Sequence, residues 1–255
     1  MPQSAEPVQL KPQTTQAFEA YLRQAEAEMM ARLEGSEPFL WSDASRERAQ
    51  QVRKGQVVAQ LWAGKEPVRV PDGLIHDWIG AAWIPGATVK QTLALIQDYD
   101  NHKHVYKPDV IDSKLLSRQG NDFSVYLRLL KKKLITVVLD TEHDVHYSRI
   151  GPARWLCRSY TTKISEVEDA GKTSEQALAP DTGYGFLWRL NSYWRFEERE
   201  GGECVECRAI SLTRDIPAGL GWIIEPIVRK LPKQSLINTL TATRQALSSR
   251  VTSAC

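Results

Sequence analysis

The second half of this chain constrains its fold most. Six extended segments follow one another with turn residues between them, and a long helical stretch closes the sequence. The segments 110–118, 123–131, 134–147, 154–167, 184–198 and 204–214 are rich in β-branched and aromatic residues. Between them lie Gln119-Gly120-Asn121-Asp122, Gly151-Pro152 and Glu200-Gly201-Gly202, residue types that supply the backbone geometry of tight turns. Connections this short join antiparallel neighbours, so an antiparallel meander is expected. The polar stretch 168–183 reads as a mobile loop within it. Over 219–250, Ile224, Ile227, Leu231, Leu236, Leu240, Thr243 and Leu247 recur at helical spacing and predict one inward face. Pro226 is expected in the first turn, whereas Pro232 predicts a kink or a division in two.

The first half is more helical. Thr14 or Thr15 caps a helix in which Phe18, Leu22, Ala25, Met29 and Leu33 share a face, and Gly35 stops it. A second short helix is expected over 45–54. Residues 56–62 and 74–84 read as strands, the latter ended by Pro85-Gly86. Thr88 with Gln91 forms a capping box for a helix carrying Val89, Leu93 and Ile96, and the segment before Pro108 holds about one further helical turn. We therefore expect residues 1–64 to be an N-terminal helical extension and residues 65–255 the main domain.

Composition excludes several classes. The 255 residues hold 33 Lys+Arg against 31 Asp+Glu, a formal charge of +2, so there is no general attraction to nucleic acid or to an anionic membrane. The longest uncharged run, from Trp78 to Val89, contains Pro85 and Gly86 and falls short of the ~20 apolar residues of a membrane-spanning helix. Four cysteines are too few for a disulfide scaffold. Cys204 and Cys207 have the CxxC spacing but lie mid-strand, where their sulfurs face opposite sides, so a structural role is expected. Residues 1–11 lack the n- and h-regions of a signal peptide and read as a flexible leader. The compartment is cytoplasmic as the chain stands, and periplasmic or secreted if a signal was removed.

The order strand, helix, short helix, six antiparallel strands and long terminal helix resembles the START-like (SRPBCC, polyketide cyclase and lipid-transport) superfamily. The resemblance covers about two-thirds of the chain. It is carried by Tyr99-Asp100-Asn101 through Tyr106-Lys107-Pro108, by Gly219-Leu220-Gly221-Trp222, and by residues 185–196 and 210–217, which look like an uncharacterised bacterial branch. It implies an α+β helix-grip fold, a curved antiparallel sheet wrapped around the C-terminal helix, with an apolar cavity between them. The implied partner is a hydrophobic small molecule or lipid, with no cofactor, no nucleic acid and at most transient membrane contact.

Period-two alternation nominates the cavity wall. Trp188, Leu190, Ser192, Trp194 and Phe196 share one face, taken as inward. Phe123, Val125, Leu127 and Leu129 share another, and Trp155 and Cys157 a third. The ligand-contacting set is expected to be Phe123, Val125, Leu127, Trp155, Trp188, Leu190, Trp194, Arg195, Arg214, Ile224 and Leu231. Arg214, Arg195 and Glu142 are candidate polar anchors at the cavity, a guanidinium fork being suited to a carboxylate or phosphate head group. Glu142, His143, Asp144 and His146, like Asp100, His102 and His104, are spaced poorly for a metal, and no metal site is expected. The run Lys131-Lys132-Lys133 reads as a solvated hairpin or as a membrane contact. Three functions follow: a non-catalytic carrier; a cyclase or aromatase-like enzyme using Tyr193, Arg195, Arg214 or His146; or an interaction module whose N-terminal extension covers the cavity mouth or binds a partner.

Overall fold

The computed structural model describes residues 7–62, 64–132, 136–215 and 221–252, with side chains of the last stretch described over 231–249. The chain opens with β1 (Val8–Gln9), α1 (Pro12–Glu34), α2 (Arg46–Arg53), β2 (Val58–Leu61), β3 (Val68–Val70) and β4 (Gly73–Pro85). Then come α3 (Val89–Ile96), α4 (His102–Val105), β5 (Val110–Gln119), β6 (Asp122–Lys132), β7 (Thr136–Gly151) and β8 (Arg154–Glu168). The last elements are β9 (Gln176–Ala177), β10 (Thr182–Gly183), β11 (Arg189–Arg199), β12 (Gly202–Arg214) and α5 (Gly221–Thr252).

One antiparallel sheet dominates, in the order β2-β4-β12-β11-β8-β7-β6-β5, with β3 also on β4 and β9 on β8. The six expected strands lie each beside the next, as their turn residues dictate. The non-local step is the return of β12 to β4, in register from Gly202 opposite Pro85 to Arg214 opposite Gly73. β4 and β12 are buried on both faces, which explains why residues 78–84 read as a continuous apolar run rather than an alternating one. The Thr88 capping box forms as expected and starts α3 on the rim.

Helix α5 lies on the concave face. Its Leu236, Leu240 and Leu247 pack with Ala82, Ile84, Val205 and Phe196 in the main core. Gly80 marks the closest approach: a Cβ there would meet Leu240 Cδ1 at 2.9 Å and the Val58 carbonyl oxygen at 3.0 Å. The helix runs unbroken from Gly221 to Thr252, so it is not divided at Pro232, and Pro226 lies beyond the first turn. The packing of its inward face sustains the helix where a proline removes one backbone donor. Among the described residues, no helix is long and apolar enough to cross a membrane.

The N-terminal segment packs mainly on the convex face, and among the described residues none of it lines the cavity. Phe18 and Ala25 of α1 pack against Ile75, Ile210 and Leu212, while Phe39, Leu40 and Trp41 pack against Ile79, Ala81 and Trp83. Beneath this cover lies a buried ion pair: Arg208 donates from Nη2 to Asp77 Oδ2 at 2.6 Å and from Nε to Oδ1 at 2.9 Å, the side chains being 4% and 5% exposed. The Tyr21 hydroxyl adds a 2.8 Å bond to Asp77, and the Trp62 ring lies 4.1 Å from the Arg208 guanidinium carbon. Glu206 accepts the Trp41 and Ser42 backbone N–H groups, and Glu26 accepts the Tyr160 and Tyr193 hydroxyls. Two stretches expected to be loose are pinned. Val8 and Gln9 pair with Gly183 and Thr182, and Glu166 accepts the backbone N–H groups of Tyr184, Gly185 and Phe186. Strand β2 shows that the sheet begins before residue 64.

Two expectations test this packing. Gly80→Val forces α5 away from β4 and lowers stability by about 2 kcal/mol in urea denaturation; unchanged stability would refute the contact. Asp77→Ala strands a buried guanidinium and costs about 3–5 kcal/mol in the same assay, and an unchanged midpoint would refute the pair.

Candidate functional site

Sheet and helix meet along one half of the concavity and diverge along the other, leaving a cavity of about 860 Å³. Alternation points every second residue of the strands into it: Val125, Leu127 and Leu129 from β6, Leu139, His143, Val145 and Tyr147 from β7, Cys157 and Ser159 from β8, Leu190, Ser192 and Trp194 from β11. Cys207, Ala209, Ser211 and Thr213 of β12 continue the floor, and Leu231, Leu236, Thr239 and Ala242 of α5 form the roof. The volume lies within the ~300–1,000 Å³ of small-molecule sites.

Several polar groups in this wall are engaged with protein partners. The Tyr99 and Tyr147 hydroxyls are 2.7 Å apart, and Tyr106 lies 3.2 Å from Thr243 Oγ1. His102 Nε2 is 3.0 Å from the Ile96 carbonyl, and His143 Nε2 is 2.9 Å from Thr141 Oγ1. Burial pushes both histidines down to about 4 and raises Tyr99 and Tyr147 well above the usual phenol range, so these groups are neutral at pH 7. Burial also pushes the Cys157 thiol up to about 12. At one end Lys131 pairs with Asp109 at 3.1 Å, and Asn238 donates to the same carboxylate. Burial draws Lys131 below the usual lysine range, Asp109 opposing the shift. The basic run is therefore not a uniformly solvated hairpin; Lys133 lies outside the described residues.

Of the expected contact residues, Val125, Leu127, Leu190, Trp194, Arg214 and Leu231 stand together in the wall. Phe123 is on the same face but plugs the closed end, 5.6 Å from the Tyr99 ring and 5.4 Å from the Tyr147 ring. Trp155 lies outside the cavity wall, opposite Phe196 in the ladder, and packs against the core. Trp188 is on the convex side with Phe18 and Leu212: it precedes the first ladder residue of β11, so alternation does not set its direction. Arg195 is also convex, donating to the Phe39 and Met29 carbonyls, because it is one residue from inward Trp194. Desolvation pushes it down to about 10. The Ile224 side chain lies outside the described residues.

The other candidates scatter. Glu142 pairs with Lys163 on the exposed side, and His146 pairs with Asp122 at 2.6 Å, facing away from His143. Tyr193 is convex. Of the four acid–base candidates, Arg214 alone lines the cavity. Cys204 packs on the convex side and Cys207 in the main core. Among the described residues no three metal-ligating side chains converge. Sequence reasoning missed Tyr99, Tyr147 and the inward placement of His143, which shares the parity of Val145 and Tyr147 on β7.

No protein-family model matches the chain, and no curated protein matches its sequence. Solved structures do. A fragment of a STAR-related lipid transfer protein from Xanthomonas axonopodis is 16% identical over 74% of this chain and 98% of that one, with a TM-score of 0.50. A protein from Thermus thermophilus is 15% identical over 69% and 97%, at 0.48, and the Zhui aromatase/cyclase from a Streptomyces species is 10% identical over 69% and 96%, at 0.43. Such identities speak to fold alone. A curved antiparallel sheet closing over a long C-terminal helix, with helices ahead of it, gives this chain the α+β helix-grip fold of the START-like superfamily.

Proposed function

We propose that the protein binds or carries a hydrophobic, lipid-like small molecule, without transforming it, in the cavity between the concave sheet and α5. The observation that carries this reading is the wall itself: an 860 Å³ space whose lining is mainly aliphatic and aromatic and whose two histidines are neutral at pH 7, with charge held in the Lys131–Asp109 pair at one end and at Lys107, Arg214 and Asp215. Such a wall favours apolar surface and penalises charge. The cyclase or aromatase reading draws less support, since its candidate residues do not converge on one point of the cavity. As an interaction module, the N-terminal segment would have to use its outer surface, its inner one being packed on the sheet.

Native mass spectrometry after gentle purification is expected to show co-purified lipid-like mass, and tetradecanol to displace bound anilinonaphthalene sulfonate. Ala209→Phe on the floor and Ala242→Phe on the roof each weaken tetradecanol binding about tenfold or more while the protein stays folded. A ligand-free spectrum together with no binding of either probe would refute the carrier reading.

The pH dependence is also set. His102 and His143, held near 4, take up protons more readily once unfolded, where histidine titrates near ~6.5. The unfolded chain therefore binds more protons between these values, and stability falls as pH drops from about 6.5 to about 4. Guanidinium titrations from pH 8 to 4 should show this, with a shallower slope in His143→Phe. Tetradecanol affinity stays level between pH 8 and 6; a break there would show that the wall carries a titrating charge.

A further inference from the structure

The cavity floor carries hydroxyl groups that the fold does not use. Ser159 of β8, Ser192 of β11 and Ser211 of β12 share strand parity with inward Cys157, Trp194 and Cys207, and all three line the cavity. Ser159 and Ser192 stand directly opposite each other in the ladder, with Ala209 on the other side of Ser192. Ser211 is the next inward residue of β12 after Ala209. Among the described residues, neither the Ser159 nor the Ser211 hydroxyl has a hydrogen-bond partner, although Ser211 is only 5% exposed. Both oxygens keep accessible surface on the cavity, unlike His143 Nδ1, which is sealed within the wall. Ser192 Oγ accepts from Trp194 Nε1 at 3.2 Å, and among the described residues its own proton meets no acceptor. Alanine would fill the same space without a donor to satisfy, as it does at position 209.

A pure hydrocarbon pressed onto this floor would strip water from three O–H groups and offer them no acceptor, which is unfavourable at each one. Resting on the carrier reading above, we propose that the ligand carries a neutral acceptor oxygen, of the ketone or ester-carbonyl kind, in the middle of an apolar body, and that Ser159 and Ser192 both donate to it. Directly opposite residues have Cβ atoms about 4.5–5.5 Å apart, so one oxygen between them is within reach of both. A carbonyl oxygen has two lone pairs to receive the two protons. Ser211 meets a second oxygen further along the same body. The middle of the body is indicated by depth. The row Tyr147, Cys157, Trp194 and Cys207 borders the closed end, Thr136 and Phe186 are exposed at the open end, and the serines lie between, one and two inward steps of roughly 7 Å from that row. Charged groups fit poorly: a carboxylate would have only neutral hydroxyls to offset its charge, and an ammonium would set donors against donors.

The test is a thermodynamic cycle of two ligands and two side chains, read by displacement of anilinonaphthalene sulfonate. Diheptyl ketone carries one carbonyl at the middle of its chain and pentadecane none, and their different transfer from water cancels when variants are compared with wild type. Ser159→Ala is expected to lower the affinity for the ketone relative to pentadecane about fivefold, and Ser159→Ala with Ser192→Ala about tenfold or more. Ser159 makes no hydrogen bond among the described residues, so its replacement removes nothing the fold depends on. In wild type, which needs no variant, the infrared carbonyl stretch of the bound ketone should lie below its position in hexane, and in the double variant it should return toward that position. An affinity ratio unchanged in both variants, a bound stretch at the hexane position, or one that stays low in the double variant would overturn the inference and leave the carrier reading standing. Failure of both compounds to bind wild type would overturn the two together.

Discussion

The organisation of this protein depends on one constraint: a strand has two faces, and β4 and β12, neighbours in the sheet, are buried on both. Each face needs its own cover. Helix α5 supplies it on the concave side, seated against Gly80, and the segment before β3 supplies it on the convex side. The cavity follows from the shape of the concave cover. Helix α5 packs chiefly on β4, β12 and β2, and beyond that contact the alternating side chains of β6, β7, β11 and β12 face open space.

The two covers differ in chemistry. On the concave side the packing is mainly aliphatic and aromatic, with hydrogen-bonded tyrosines and threonine inside it and the Lys131–Asp109 pair at one end of the cavity. On the convex side the contact is organised by charge: Asp77 with Arg208 and Tyr21, Glu206 with two backbone N–H groups, and Glu26 with two tyrosines. Directional bonds of this kind set how the N-terminal segment sits, because each buried carboxylate must meet a particular donor. The apolar side imposes no such matching and can leave volume unfilled.

What was legible in the sequence follows the range of the forces involved. Turn residues act locally, so the meander and the capping box of α3 could be read directly, and period two placed Val125, Leu127, Leu190 and Trp194 on inward faces. The pairing of β12 with β4 was not legible, because no local signal joins segments so far apart. Face alone also does not give depth: Phe123 and Trp155 face inward yet lie outside the cavity wall, at positions that depend on where neighbouring elements pack. Trp188 escaped because alternation ends where the ladder ends. His143 escaped because it was weighed as a metal ligand beside His146, when its own strand parity placed it with Val145 and Tyr147.

The distance between β4 and its partner strand has a bearing on synthesis. Asp77 and Arg208 are separated by 131 residues. At roughly 5–20 residues per second, a ribosome would make the second on the order of ten seconds after the first. For that interval the most apolar strand of the protein has one edge without its ladder and neither of its terminal covers in final form. The nascent chain thus presents an unpaired strand edge well before the strand that closes it exists.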